Sequence, residues 1–150
     1  MWRWVLILMI SVKLNAQHFI QNPNTQSVTT SAVKEWCQNN FPEPPRRQPK
    51  IYIEFTPLLP NLIGITRRLQ DGSFLIDLNP LYDTHQLERT LIHELVHVNQ
   101  MWNGDLEKKK GQFYWKGQPY PFNHPYRERP WEVDARRRTI LWCDGVPVGE

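Results

Sequence analysis

The segment Thr90-Leu91-Ile92-His93-Glu94-Leu95-Val96-His97 lies in the middle of the strongest helical pattern of the chain. Apolar residues recur around it at steps of three and four positions, which predicts a mostly buried helix. These residues are Leu87, Leu91, Leu95, Val98 and Trp102, with Ile92 and Val96 on a second face. Asp83 and Gln86 have the spacing of a capping box before this helix, and Gly104 can end it.

The polar residues of this segment have the spacing of metal ligands. His93 and His97 lie one turn apart on one helix face, so both imidazoles can reach one metal ion at about 2.0–2.1 Å. Glu94 can reach a water molecule beside that ion without being a ligand, which places a base next to a Lewis acid. This His-Glu-x-x-His pattern is typical of zinc-dependent peptidases. The alternative is a pair of core histidines that are satisfied by hydrogen bonds.

A catalytic zinc ion needs a third protein ligand and an open fourth position. The candidates are His18, His85, His124 and Glu132, the last within Arg129-Pro-Trp-Glu-Val-Asp-Ala-Arg136. Glu132 could instead form an i,i+4 ion pair with Arg136, or stabilise the start of its helix through the helix dipole. We favour Glu132 because a third ligand is required, and His124 is the second choice.

The letters HELVHVNQ on one helix, followed by PWEVDA on the next, resemble the minimal gluzincin metallopeptidases, small relatives of thermolysin and neprilysin. There is a looser likeness to SprT-like proteins. The resemblance covers residues 50–143 and is carried mainly by the HExxH half. It implies that Glu132 completes a metal shell with His93 and His97. It also implies that residues 73–78 form the edge strand that pairs with an extended peptide.

The chain departs from this family at one position. In larger gluzincins an aspartate four residues after the ligand glutamate braces a zinc-binding histidine. This chain has Arg136 there, and its nearest acid is Asp134. The group that orients His93 or His97 is therefore open.

A tetrahedral oxyanion needs a hydrogen-bond donor besides the metal. Four residues of the proline-rich segment before Glu132 can supply one: Tyr120, His124, Tyr126 and Arg127. We favour Tyr126 as this catalytic residue, because Tyr120 more readily serves as the core aromatic of a hairpin.

The remaining pattern predicts an α+β fold, with a small antiparallel or mixed sheet packed on the buried HExxH helix and on a C-terminal helix that carries Glu132. The expected strands are residues 50–55, 62–69 and 73–78, with a tight turn at Asp71-Gly72 before the last. The other expected elements are a helix at 31–40, a charged loop at 105–111, a hairpin of 112–115 and 118–120, and a helix from Pro130 to about Cys143. With the metal motif, these elements describe a zincin-like minimal catalytic domain.

Residues 1–16 have the three-part pattern of a secretory signal peptide, and their apolar run is too short to span a bilayer. Residues 17–49 would be a polar, proline-rich segment, and residues 50–150 the metallopeptidase domain. The whole chain has 18 basic and 15 acidic residues, a net charge of +3. Loss of Arg3 and Lys13 with the signal lowers this charge to about +1, so no nucleic-acid partner is expected.

Export also bears on the two cysteines. Cys37 and Cys143 are the only cysteines of the chain, and a lone pair in an oxidising compartment is usually bridged. Closing a loop of that length would stabilise the fold by about 4–5 kcal/mol. Two reduced thiols are the alternative.

Together these features predict an exported zinc endopeptidase, secreted, periplasmic or at the cell surface, that acts as a monomer on peptides or proteins. His93, His97 and Glu132 would hold the zinc, and Glu94 would be the general base. No membrane span is expected. The first alternative is a zinc-binding interaction module without hydrolytic activity. The second is an intracellular SprT-like peptidase, which requires that residues 1–16 are not a signal.

Overall fold

The computed structural model describes residues 19–21, 28, 30–44 and 47–145. The proposed signal peptide lies outside these residues. The described elements are β1 (Phe19–Gln21), α1 (Ser31–Asn40), β2 (Ile51–Phe55), β3 (Gly64–Arg68), β4 (Phe74–Leu78), α2 (Thr84–Trp102), β5 (Leu106–Lys109), β6 (Gln112–Trp115), β7 (Gln118–Tyr120) and α3 (Pro130–Asp144). The predicted α+β class is confirmed.

The larger sheet has the strand order β1-β2-β4-β3. β1, β2 and β4 run parallel, whereas β3 is antiparallel to β4. The predicted tight turn joins β3 to β4, and Gly72 adopts a φ of 84° there. The expectation that residues 73–78 form an edge strand is wrong. β2 pairs with β4 on the side away from β3, with Ile53 opposite Ile76, so β4 is interior and β3 is the edge.

α2 packs on one face of this sheet. Side chains alternate between the two faces of a strand, and the inward set on β2 and β4 is fully buried. It comprises Ile51, Ile53, Phe74, Ile76 and Leu78. On α2, Leu91 and Leu95 are also fully buried, and truncating such a leucine to alanine typically costs about 2–5 kcal/mol. The predicted N-cap is confirmed, because the Asp83 side chain accepts a hydrogen bond from the Gln86 backbone N–H at 2.9 Å.

A second, smaller sheet has the order β5-β6-β7. The predicted hairpin of β6 and β7 is confirmed, but the expected charged loop at 105–111 is wrong because residues 106–109 form β5. Only Leu106 of this strand is buried, so Lys108 and Lys109 can remain in solvent while their backbone pairs with β6. Lys110 and Gly111 both have positive φ, as a two-residue hairpin turn requires.

The cysteines lie in different environments. Cys37 on α1 is buried in the core, whereas Cys143 near the end of α3 is exposed. The structure does not join them, so the predicted disulfide is wrong. Within the described residues no helix is long and apolar enough to cross a membrane.

Candidate metal centre

Three of the predicted residues meet where α2 and α3 pack together. His93 and His97 lie on α2, and Glu132 lies in the first turn of α3. Their potential ligand atoms all lie within 4.8 Å of one another, and this group could hold a metal ion. The Nε2 atoms of His93 and His97 are each 3.4 Å from a different carboxylate oxygen of Glu132.

Local sequence explains how Glu132 reaches the two histidines. Pro130 occupies the first turn of α3, where its missing N–H costs no hydrogen bond. Trp131 is 3% exposed and packs against Phe113 and Tyr120 of the small sheet, with ring centroids 5.0 and 5.8 Å away. The small sheet therefore holds the first turn of α3 in place, and the next residue, Glu132, points towards α2.

The donor atoms lie close enough to share one metal ion. Two ligand atoms bound at about 2.0–2.1 Å in a tetrahedron lie about 3.3–3.4 Å apart, and each histidine nitrogen is 3.4 Å from one of the two Glu132 oxygens. Oε2 of Glu132 is buried and accepts no hydrogen bond from the described residues. A buried carboxylate oxygen without a partner is costly. A cation bound between the three side chains would remove that cost.

The pKa values of Glu132 and His97 are shifted by their contact with each other. Burial alone would raise the pKa of Glu132, but the adjacent imidazoles of His93 and His97 outweigh this and lower it well below its usual range. Burial would lower the pKa of His97, but the neighbouring Glu132 and Glu94 outweigh this and raise it. The His97–Glu132 pair therefore favours its charged forms, and a metal ion must displace the proton on His97.

Gln100 orients His97, and sequence reasoning missed it. Its amide nitrogen donates to the backbone carbonyl of Trp131 at 3.0 Å and to Oδ2 of Asp134 at 2.8 Å. Its oxygen is therefore left to accept from Nδ1–H of His97, 2.9 Å away. Because Nδ1 keeps its proton on this hydrogen bond, the proton that His97 gives up to a metal ion is the one on Nε2. Arg136 stands where larger gluzincins have the aspartate that braces a zinc-binding histidine. In this chain Asp134 reaches His97 through Gln100 instead. The signal was present in the sequence, since Gln100 follows His97 by three residues on the same helix face.

Glu94 is held on the side of α2 that faces the large sheet. Thr66 of β3 donates a hydrogen bond from its hydroxyl to Oε2 of Glu94 at 2.6 Å. Gly64 allows β3 to come this close, because a Cβ there would lie 2.6 Å from Cγ2 of Thr90 and 3.1 Å from Cγ of Glu94. Sequence reasoning missed both residues, because the contact of β3 with α2 is not visible in local patterns. Glu94 is 6% exposed and lies outside the ligand group.

Tyr126 lies close to the metal centre in a short 3-10 helix, Tyr126–Glu128. It lines the same clefts as Glu94. Partial burial, together with the negative charge of Glu132, raises the pKa of its hydroxyl. The phenol therefore keeps its proton at neutral pH and can donate it in a hydrogen bond.

The other predicted candidates serve elsewhere. Tyr120 packs edge-on against Trp131, with ring centroids 5.8 Å apart, as its alternative role predicted. His124 lies outside the ligand group, with Nε2 3.4 Å from the carbonyl of Glu128. Arg127 contributes a backbone carbonyl that accepts a hydrogen bond from Arg136 at 2.5 Å.

The alternative ion pair of Glu132 and two other candidate ligands, His85 and His18, remain to be located. Glu132 forms no ion pair with Arg136 in the part of the chain that the structure describes. His85 is exposed in the first turn of α2, outside the ligand group. His18 lies outside the described residues.

Two clefts open beside this centre. One, of about 880 Å³, is bounded by β3, the C-terminal half of α2, β5 and the start of α3. The other, of about 410 Å³, lies between residues 61–64, α2 and α3. Glu94 and Tyr126 line both clefts, so an extended chain could cross from one to the other past the metal centre.

Comparisons with known proteins add no identification. No protein-family model, no curated protein and no solved structure matches this chain.

Proposed function

We propose that this protein is a zinc-dependent endopeptidase with a zincin-like catalytic domain. The observation that carries the proposal is the group of His93, His97 and Glu132, which is largely buried and whose ligand atoms lie within 4.8 Å of one another. Two imidazoles and one carboxylate form a donor set that zinc uses in catalytic sites, where a fourth position stays open. The resemblance of the two helical motifs to minimal gluzincins supports the same function.

The residues around the group have the roles that peptide hydrolysis needs. A zinc ion bound there would supply a Lewis acid and lower the pKa of a water molecule to about 7. Glu94 takes the proton from the attacking water and delivers it to the leaving amine. Thr66 holds the Glu94 carboxylate in position through its hydroxyl. Tyr126 donates a hydrogen bond to the oxyanion that forms at the carbonyl carbon.

β3 offers a place for the substrate backbone. The hydrogen bonds from Asn79 N–H to the Ile63 carbonyl and from Leu69 N–H to the Ser73 carbonyl fix the pairing of β3 with β4. In an antiparallel pair this pattern alternates, so the N–H and C=O groups of Gly64, Thr66 and Arg68 point to the free edge. An extended peptide could pair there as an added strand, beside Glu94.

The proposal includes export and a monomeric state. Residues 1–16 would direct the chain out of the cytoplasm and be removed, so the enzyme would be secreted, periplasmic or at the cell surface. Mass spectrometry of the mature N-terminus tests this part. An intact Met1 on intracellular protein would refute export and favour the SprT-like alternative.

The enzymatic part is tested with the purified full chain. We expect one zinc ion per chain, cleavage of an unfolded protein substrate, and loss of cleavage with a chelator. Glu94→Gln should lose cleavage but keep zinc, whereas Glu54→Gln, an exposed glutamate on β2, should keep both. A zinc-loaded wild type that cleaves nothing would favour the non-hydrolytic module. Failure to take up zinc on titration would refute both readings.

A further inference from the structure

The larger cleft beside the metal centre has an uneven charge distribution. Its basic lining residues are Arg67, Arg68, Lys108, Lys109 and Arg129. Apart from Glu94 and Glu132 of the site itself, Glu107 is the one acidic residue among the described residues that line it. A cleft whose walls carry one sign of charge attracts ligands of the other sign. The net charge of the whole chain is only +3, so this concentration is local.

Two of the five cations are already neutralised. Arg67 donates to Oδ2 of Asp77 at 2.5 Å, on the face of the sheet that carries Asp77. Lys109 pairs with Glu107, two residues away on the same strand. These two side chains add little attraction for a ligand, because their charges are compensated within the protein.

The other three cations have no carboxylate partner among the described residues. Arg129 donates to two backbone carbonyls and stacks against aromatic rings, which fixes it as part of the wall. Arg68 lies over the ring of Phe74 at 5.6 Å, and Lys108 lies over the ring of Phe122 at 5.3 Å. Both are exposed at their ends, and they stand on opposite walls, β3 and β5.

We propose that this cleft selects peptide segments that carry acidic side chains, with Arg68 and Lys108 as the residues that contact them. The inference rests on the proposed peptidase function and names its substrate class. A peptide fits better than a nucleic acid for two reasons. The free edge of β3 offers alternating N–H and C=O groups that match a peptide backbone. A nucleic acid carries a phosphate on every nucleotide and would bring some of them against Glu94 and Glu132, whereas a peptide can place its few acidic side chains at Arg68 and Lys108 instead.

The test measures binding separately from cleavage. Two short fluorescent peptides that differ only in Glu or Gln at the same positions are titrated into the zinc-loaded Glu94→Gln full chain. Anisotropy should show about fivefold to tenfold tighter binding of the Glu peptide, since two exposed charge contacts contribute modestly. High salt should remove the difference, because exposed charges are screened.

Variants identify the side chains responsible. Arg68→Gln combined with Lys108→Gln should abolish the preference, so that this variant binds the Glu peptide no more tightly than the Gln peptide. Lys110→Gln combined with Lys116→Gln removes the same charge from exposed turns outside the cleft and should keep the preference. Equal affinities for the two peptides, or no detectable binding of the Glu peptide, would overturn the inference. Tighter binding of a single-stranded oligonucleotide than of the Glu peptide would overturn it as well.

Cleavage by the wild type separates this inference from the proposed function. If the Glu peptide is preferred in binding but the wild type cleaves neither the peptides nor an unfolded protein substrate, the peptidase proposal fails and the specificity of the cleft stands. If the wild type cleaves both peptides with equal kcat/KM and binds them equally, the inference about the cleft fails and the peptidase proposal stands.

Discussion

Replacing Gln100 by leucine should weaken zinc binding about tenfold to a hundredfold, or about 1.4–2.7 kcal/mol. The side chain is 1% exposed and links His97 to α3 through three hydrogen bonds. Leucine keeps the volume but accepts nothing from Nδ1 of His97. That imidazole would lose its fixed tautomer and orientation, so part of the binding energy of zinc would be spent on restoring them.

The measurement is a competition titration of the apoprotein with zinc and a chromophoric chelator. Asn99→Leu is the matched control. Asn99 is the neighbouring buried amide on α2, and it donates to the carbonyl of Asn40 and accepts from Arg138, at 2.9 and 3.0 Å. Asn99→Leu loses these bonds and should destabilise the fold about as much as Gln100→Leu does, by about 1–3 kcal/mol. It should leave the affinity for zinc unchanged.

A charge exchange tests the direction of the hydrogen bonds. Gln100→Glu still accepts from His97, but it brings a second carboxylate next to Asp134, so we expect destabilisation. Adding Asp134→Asn supplies a donor in place of that carboxylate and should restore zinc affinity to near the wild-type value. Zinc affinity of Gln100→Leu within twofold of the wild type, in a protein that remains folded, would refute the role assigned to Gln100.

Three further predictions concern the same centre. In a peptide-cleavage assay, Gly64→Ala should lower kcat/KM while zinc stays bound. The added Cβ would lie 2.6 Å from Cγ2 of Thr90 and would push β3 away from Glu94. Adding Thr90→Ala removes that clash and should restore part of the rate. Thr66→Val should reduce kcat/KM about tenfold to a hundredfold, since a hydrogen bond to a charged group contributes about 1.5–3 kcal/mol. Thr66→Ser keeps the hydroxyl and should keep most of the activity. An unchanged rate in the valine variant would contradict the role of Thr66. Because the pKa of His97 is raised in the folded protein, protonated His97 stabilises the apoprotein at low pH, and this stabilisation is lost as the pH rises through that pKa. Zinc must displace the proton, so the increase in Tm caused by zinc should grow with pH over that range. An increase in Tm that does not depend on pH would contradict proton displacement.

The two histidines of the candidate metal centre could be predicted from the sequence because their geometry is local. Residues four apart on a helix share a face whatever the helix packs against, so His93 and His97 needed only the helix itself. Glu132 required the resemblance and the need for a third ligand, because its approach depends on how α3 packs on α2. The bounds of α1 and of the hairpin also followed from local patterns and are confirmed.

Features that depend on distant pairing were not predictable in this way. β4 was expected at the edge because the resemblance to minimal gluzincins implies an edge strand at residues 73–78, whereas the parallel pairing of β4 with β2 leaves no local mark in the sequence. β5 was missed because three of its four residues are charged, which is tolerated on a strand whose side chains face solvent. Gly64, Thr66 and Gln100 have ordinary local surroundings, and only the contacts made across elements show what they do.

Different contacts hold the candidate metal ligands and the proposed base, Glu94. Glu132 and the Gln100–Asp134 link come from the contact of α2 with α3, whereas Glu94 is positioned by its contact with β3. Substitutions at the α2–α3 contact should therefore change zinc affinity first and catalysis as a consequence. Substitutions at the β3 contact should change catalysis with zinc still bound. A β3 variant that lost zinc in proportion to its activity would show that the two supports are coupled, and that β3 holds α2 as a whole rather than the Glu94 carboxylate.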